Sequence, residues 1–141
     1  MTSPSVSLTL SADAYDAMIR HALDCYPEEM CGLLAAAADG SAPAFYPCRN
    51  TTRSGRVFEI HPMDYLRAED DAEARGLRLA AVVHSHTHTE PYPSPTDVGV
   101  AGNLGPELTW VIVGLKRHAA ETRHYRIADG VIAEAGLSVA G

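Results

Sequence analysis

The most chemically informative stretch of the sequence is His84-Ser85-His86, with ten residues between His86 and Asp97. In an extended segment, residues i and i+2 point to the same side, so two imidazoles at this spacing can converge on one ion. Two neutral imidazoles and a carboxylate match the usual make-up of a catalytic zinc site, which leaves its fourth position to water. One Zn2+ per chain held by His84, His86 and Asp97 would bring the pKa of that water toward ~7 and generate a nucleophile near neutral pH. The plain alternative is a surface loop of solvated histidines.

A hydrolytic site also needs a group that takes a proton from the water and returns it to the leaving amine. The pair Glu28-Glu29, between the first helix and a buried strand, offers such a carboxylate, with Glu29 adjoining the strand; a solvated turn is the ordinary reading. Ser94 reads both as a helix N-cap and as a hydroxyl able to donate to an oxyanion. His88 extends the pattern to His-x-His-x-His. As a fourth protein ligand it would exclude the water, so a place in the loop or in solvent is expected.

Several elements must position these residues. Ser5–Leu10 alternates as a first strand, and Ser11 then caps a helix. That helix carries an apolar stripe at Tyr15, Met18, Ile19, Ala22, Leu23 and Tyr26, and Pro27 ends it. Cys31–Ala37, Ala44–Cys48 and Val57–Ile60 read as strands. A second helix opens at Pro62, with Met63 and Leu66 expected toward the core. Leu79–His84 is apolar throughout, as in a central strand. Ser85–Thr96 reads as loop, and Ser94-Pro95-Thr96-Asp97 as a helix start. Leu108–Leu115 is a further strand, with Trp110 in the core. Ala128-Asp129-Gly130 joins Glu121–Ile127 to Val131–Ala135 as a hairpin. The mixture predicts one α/β domain over residues 1–141, with a mixed sheet sandwiched by helices.

Composition bounds the function. A net charge of −7 argues against nucleic acid or an anionic membrane as partner. No apolar run is long enough to span a bilayer, and the first residues carry no signal-peptide pattern. Cys25, Cys31 and Cys48 follow no Cys-x-x-Cys spacing and are expected to be reduced thiols in a cytoplasmic protein.

The set Glu29, His84-x-His86-x(7)-Ser94-x(2)-Asp97 resembles the signature of the JAMM (MPN-plus) metalloproteases. Glu29-Met30-Cys31-Gly32 is similar to that family's glutamate segment, and its spacing to Gly32 selects Glu29 over Glu28. The string HSHTHTEPYPSPTD most resembles the small bacterial branch that includes the CysO–cysteine peptidases. The resemblance implies a sheet sandwiched by helices, related to the cytidine deaminases. It assigns zinc to His84, His86 and Asp97, acid/base catalysis to Glu29 and oxyanion support to Ser94. It also implies cleavage after the C-terminal Gly-Gly of a ubiquitin-like sulfur carrier, with release of cysteine or a short adduct.

Long insertions able to grip a second folded protein are absent, which favours a small leaving group over an isopeptide-linked protein. A non-catalytic scaffold of the same fold is the other alternative, and the complete ligand set argues against it. A zinc deaminase would need a Pro-Cys-x-x-Cys segment that the sequence lacks. The oligomeric state, a homodimer included, is left open.

Overall fold

The computed structural model describes residues 7–52, 57–104 and 107–140. In chain order the elements are β1 (Leu8–Leu10), α1 (Ala12–Cys25), β2 (Cys31–Ala36), β3 (Ser41–Ala42), β4 (Ala44–Cys48), α2 (Pro62–Ala74), β5 (Arg78–His86), α3 (Pro95–Leu104), β6 (Thr109–Gly114), β7 (Glu121–Ala128), β8 (Val131–Ala135) and β9 (Leu137–Val139). Six strands form the main sheet in the order β4-β2-β5-β6-β7-β8. The β5–β6 pair is parallel and the other neighbours are antiparallel, so the sheet is mixed, as expected. A smaller parallel sheet has the order β3-β1-β9.

The period-two alternation of the central strands sends their side chains into two layers. Leu34, Val83, Val111 and Val113 pack with Met18 and Ala22 of α1 and with Leu8 and Leu10 of the small sheet. Leu33, Val82, Trp110 and Ile112 pack on the other face with Ala68 of α2 and Ala101 of α3. Helices thus cover both faces of a sheet whose middle strands are buried from Ala80 to His86 in β5 and throughout β6. Ser11 caps α1 as read from sequence, its side chain accepting from Ala14 N at 3.0 Å. Among the described residues, no helix is long and apolar enough to cross a membrane.

Several expectations need correction. Met63 and Leu66 are 46% and 48% exposed. α2 buries Ala68 and Ala72 instead, because these small side chains let its backbone approach the sheet. In α1, Leu23 and Tyr26 fall outside the buried stripe of Ala14, Met18 and Ala22. Val57–Ile60 forms no strand but a single bridge, Asn50 to Ile60, flanked by Thr51 N to Glu59 O and His61 N to Arg49 O. Ser85 and His86 are strand rather than loop, since β6 runs alongside β5 as far as the His86–Gly114 pair. β3 and β9 are too short to leave a pattern in the sequence. Of the expected first strand, Ser5 and Val6 lie outside the described residues.

The three cysteines are unpaired. Burial pushes the Cys48 thiol up to about 12 and raises Cys31 as well, which keeps both protonated and unreactive. His61 caps α2, its Nδ1 accepting from Met63 N, a structural role.

Gly32 is required where β2 and β4 pair. A Cβ there would lie 2.6 Å from the Phe45 ring and 2.8 Å from the Tyr46 carbonyl oxygen. The ring can turn, but the backbone oxygen cannot move without disturbing the ladder. Gly32→Ala is therefore expected to cost about 1–3 kcal/mol, the range for overpacking, read as a lower urea midpoint at unchanged m-value. An unshifted midpoint would show that the strand accommodates the methyl.

Candidate metal centre

β5 is flanked by β2 and β6, and its last residues carry the site. His84 pairs with Cys31 of β2 and Ile112 of β6. Alternation places His84 and His86 on the face covered by α2 and α3, and Ser85 on the other. His84 is fully buried, and Phe58 stacks on its ring at 4.5 Å between centroids. Trp110 meets the same ring edge-on at 5.7 Å. The imidazole therefore has no freedom to swing aside.

Each histidine is oriented by its other nitrogen. His84 Nδ1 donates to Glu29 Oε1 at 2.7 Å, and His86 Nδ1 donates to the Glu90 carbonyl at 2.8 Å. In the neutral imidazole this fixes the tautomer and leaves the lone pair on Nε2. Both Nε2 atoms face the same oxygen: Asp97 Oδ2 lies 3.4 Å from that of His84 and 3.1 Å from that of His86.

Asp97 is set by a reciprocal cap at the start of α3. Asp97 N donates to Ser94 Oγ at 3.1 Å, and Ser94 N donates to Asp97 Oδ2 at 2.9 Å. The Ser94 reading as N-cap thus holds, and its hydroxyl sits beside the carboxylate.

The turn at residues 26–28 is exposed, Glu28 included, but Glu29 just after it is only 2% exposed. Two residues that the sequence reading passed over hold it. Ser85 Oγ accepts from Met30 N at 2.8 Å, while Ser85 N donates to Met30 O at 3.1 Å. Asn50 Nδ2 donates to the Glu29 carbonyl at 2.9 Å. The role of Ser85 could have been read from alternation, since the residue between two converging histidines must face the other way. Asn50 left no such signal.

The loop after β5 is fastened too. Tyr125 donates its hydroxyl to the Pro91 carbonyl at 2.7 Å, and the Glu90 side chain pairs with Lys116 and Arg117. Tyr92 is exposed and packs edge-on against Tyr125. His88 is exposed, with its ring against Tyr26, apart from the converging donors.

Do these residues fit a metal ion? Candidate ligand atoms of the buried Glu29, His84 and His86 lie within 4.8 Å of one another, a group that could hold one. The geometry around Asp97 is tighter. His84 Nε2 is buried with no hydrogen-bond partner, which is costly unless something else takes its lone pair. A tetrahedral zinc with bonds of about 2.0–2.1 Å requires ligand atoms about 3.3 Å apart. The separations of 3.4 and 3.1 Å from Asp97 Oδ2 match that edge. Glu29, by contrast, approaches the opposite side of the His84 ring at a hydrogen-bonding distance.

The electrostatics agree. Burial alone would lower the His84 pKa, but the neighbouring carboxylates of Asp97 and Glu29 outweigh it and raise it to about 9. Asp97 is depressed below the usual carboxylate range: burial opposes this, and the two imidazoles beside it prevail. Without a metal, a proton on His84 is held at neutral pH, and a metal must displace it. Metal affinity is expected to rise about tenfold per pH unit up to about pH 9, with release of about one proton on loading near pH 7. Calorimetric titration with zinc, in buffers of differing ionisation heat, measures both. Affinity independent of pH across this window would contradict the assignment.

Comparison with known proteins adds to the geometry. The sequence pattern of the prokaryotic homologs of the JAB domain matches residues 11–128. The chain is 36% identical over 137 residues to a CysO-cysteine peptidase of Mycobacterium tuberculosis (strain ATCC 25618 / H37Rv), covering 94% of this chain and 90% of that protein. Among solved structures, a Desulfitobacterium hafniense protein superposes with a TM-score of 0.85 at 27% identity, covering 94% of this chain and 92% of the other. A JAB1/MPN domain protein from Archaeoglobus fulgidus superposes at 0.62 with 18% identity, over 95% and 98% of the two chains, a likeness of fold.

Proposed function

The chain belongs to the family of prokaryotic homologues of the JAB domain, and on that premise we propose that it is a cytoplasmic zinc peptidase cutting after the C-terminal Gly-Gly of a ubiquitin-like sulfur carrier. The released group is cysteine or a short adduct. The observation that carries this reading is the buried, partnerless His84 Nε2 beside His86 and Asp97, with Glu29 on the same imidazole. The 36% identity to a CysO-cysteine peptidase supports the choice of substrate.

His84, His86 and Asp97 would hold the zinc. When bound, zinc supplies Lewis-acid chemistry, polarising a carbonyl and easing the deprotonation of water. Glu29 moves the proton. Its Oε1 accepts from His84, which leaves Oε2 to take a proton from the attacking water. The water oxygen adds to the carbonyl carbon of the last glycine, and the carbon–nitrogen bond then breaks. Glu29 returns the proton to the departing nitrogen, giving an amine and a carboxylic acid; the acid passes its remaining proton on, so that the two products leave as carboxylate and ammonium. Ser94 Oγ already accepts from Asp97 N, and its own hydrogen can be donated to the oxyanion as it forms. A Gly-Gly tail has no side chains, so it can approach a centre this deeply set among strand ends.

Glu29→Gln retains an oxygen to accept from His84 but cannot carry a proton. Zinc content measured by mass spectrometry is expected to stay at the wild-type level. Turnover of a CysO–cysteine conjugate, followed as the mass loss of one cysteine, is expected to fall by about 10²–10⁴-fold. Wild-type turnover by this variant would remove Glu29 from the mechanism.

A further inference from the structure

Glu29 lines a second space besides the metal centre. A cavity of about 600 Å3 opens beside it, walled also by Glu28, Arg49, Asn50 and His61. Its size suits a small ligand. Residues of both signs border it: Glu28 and Glu29 from the segment before β2, and Arg49 after β4. That arrangement complements a small molecule carrying an amine at one end and a carboxylate at the other.

The proposed reaction places such a molecule there. To receive a proton from Glu29, the departing nitrogen must come within hydrogen-bond reach of its carboxylate, roughly 2.6–3.2 Å. The rest of the leaving group then extends into space that Glu29 borders. A single amino acid carries its free carboxylate one carbon beyond the nitrogen-bearing one. A lysine side chain of a folded protein carries none there.

Among the described residues bordering the cavity, Arg49 carries the guanidinium that could meet that carboxylate. Its Nε and Nη2 donate to Asp64 at 3.0 and 2.9 Å, and its backbone N donates to the same carboxylate at 2.8 Å. This fork holds the guanidinium plane without using Nη1, and a guanidinium has five donors in all. The backbone at Arg49 is anchored as well, because its carbonyl accepts from the thiol of Cys31, the residue paired with His84.

We infer that Arg49 is a specificity-determining residue: it reads the free α-carboxylate of a single-amino-acid leaving group in the cavity bordered by Glu29. The inference rests on the peptidase reading above, and it narrows the substrate to conjugates of a free amino acid rather than of a protein side chain.

The test compares two conjugates, CysO–cysteine with its terminal carboxylate free and the same conjugate as a primary amide, cleaved by zinc-loaded protein. The wild type is expected to prefer the acid by about tenfold in kcat/KM, as for one partly solvated charge-assisted hydrogen bond. In Arg49→Gln the acid-to-amide ratio is expected to fall toward one, and in Arg49→Lys to recover in part. A wild-type ratio of one, or a ratio kept in Arg49→Gln, overturns the inference and leaves the peptidase reading intact. The wild-type comparison needs no variant and so does not depend on how well the variants fold. Failure to cleave either conjugate would overturn the peptidase reading itself.

Discussion

His84 sits wholly out of water, with Nδ1 donating to Glu29 and Nε2 given no protein partner. Burying a polar atom in this way costs about 1–3 kcal/mol if nothing satisfies it. The surrounding structure is arranged to keep that atom in place rather than to relieve it. Phe58 and Trp110 pack on the ring, β2 and β6 hold the backbone on both sides, and Glu29 fixes the tautomer. Once its proton is displaced, Nε2 offers a lone pair at a fixed point, beside a second imidazole and a carboxylate. Preorganisation of this kind suits metal binding, since ligands already in position lose little freedom when the ion arrives.

The main sheet brings distant parts of the sequence together at that point. β2 delivers Glu29 from one side, because its first residue pairs with His84. β5 supplies both imidazoles on one face, and on the other face Ser85 clasps Met30 next to Glu29. α3 contributes Asp97 through a cap in which Ser94 and Asp97 satisfy each other. The same alternation that fills the two core layers thus decides which residues of β5 face the candidate metal site and which one fastens the Glu29 segment.

Much of this was legible in the residues. Motif spacing brought out His84, His86 and Asp97, and resemblance to a known family selected Glu29 and suggested the Gly-Gly tail. The strong amphipathic pattern of α1 and the apolar runs of β2, β5 and β6 located the layers. What stayed hidden were contacts between segments far apart in the chain, such as Asn50 on the Glu29 carbonyl, which no local pattern encodes. The faces of α2 were also misread. Met63 and Leu66 are the more hydrophobic residues, but the helix packs through Ala68 and Ala72, where small size matters more than apolar area. The end of β5 has the look of a loop because its sequence turns polar there. The strand continues because β6 runs beside it and the histidines are needed inside.

On the proposed reading, the two Nε2 atoms and Asp97 would form the metal site, with Glu29 outside it. A crystal structure of the zinc-loaded protein, with an anomalous difference map at the zinc edge, tests this most directly. A single peak is expected about 2.0–2.1 Å from Nε2 of His84, Nε2 of His86 and a carboxylate oxygen of Asp97, with Glu29 still accepting from His84 Nδ1. A peak on the Nδ1 side of His84, bonded to Glu29, or a coordination sphere closed by a fourth protein ligand such as His88, would contradict it.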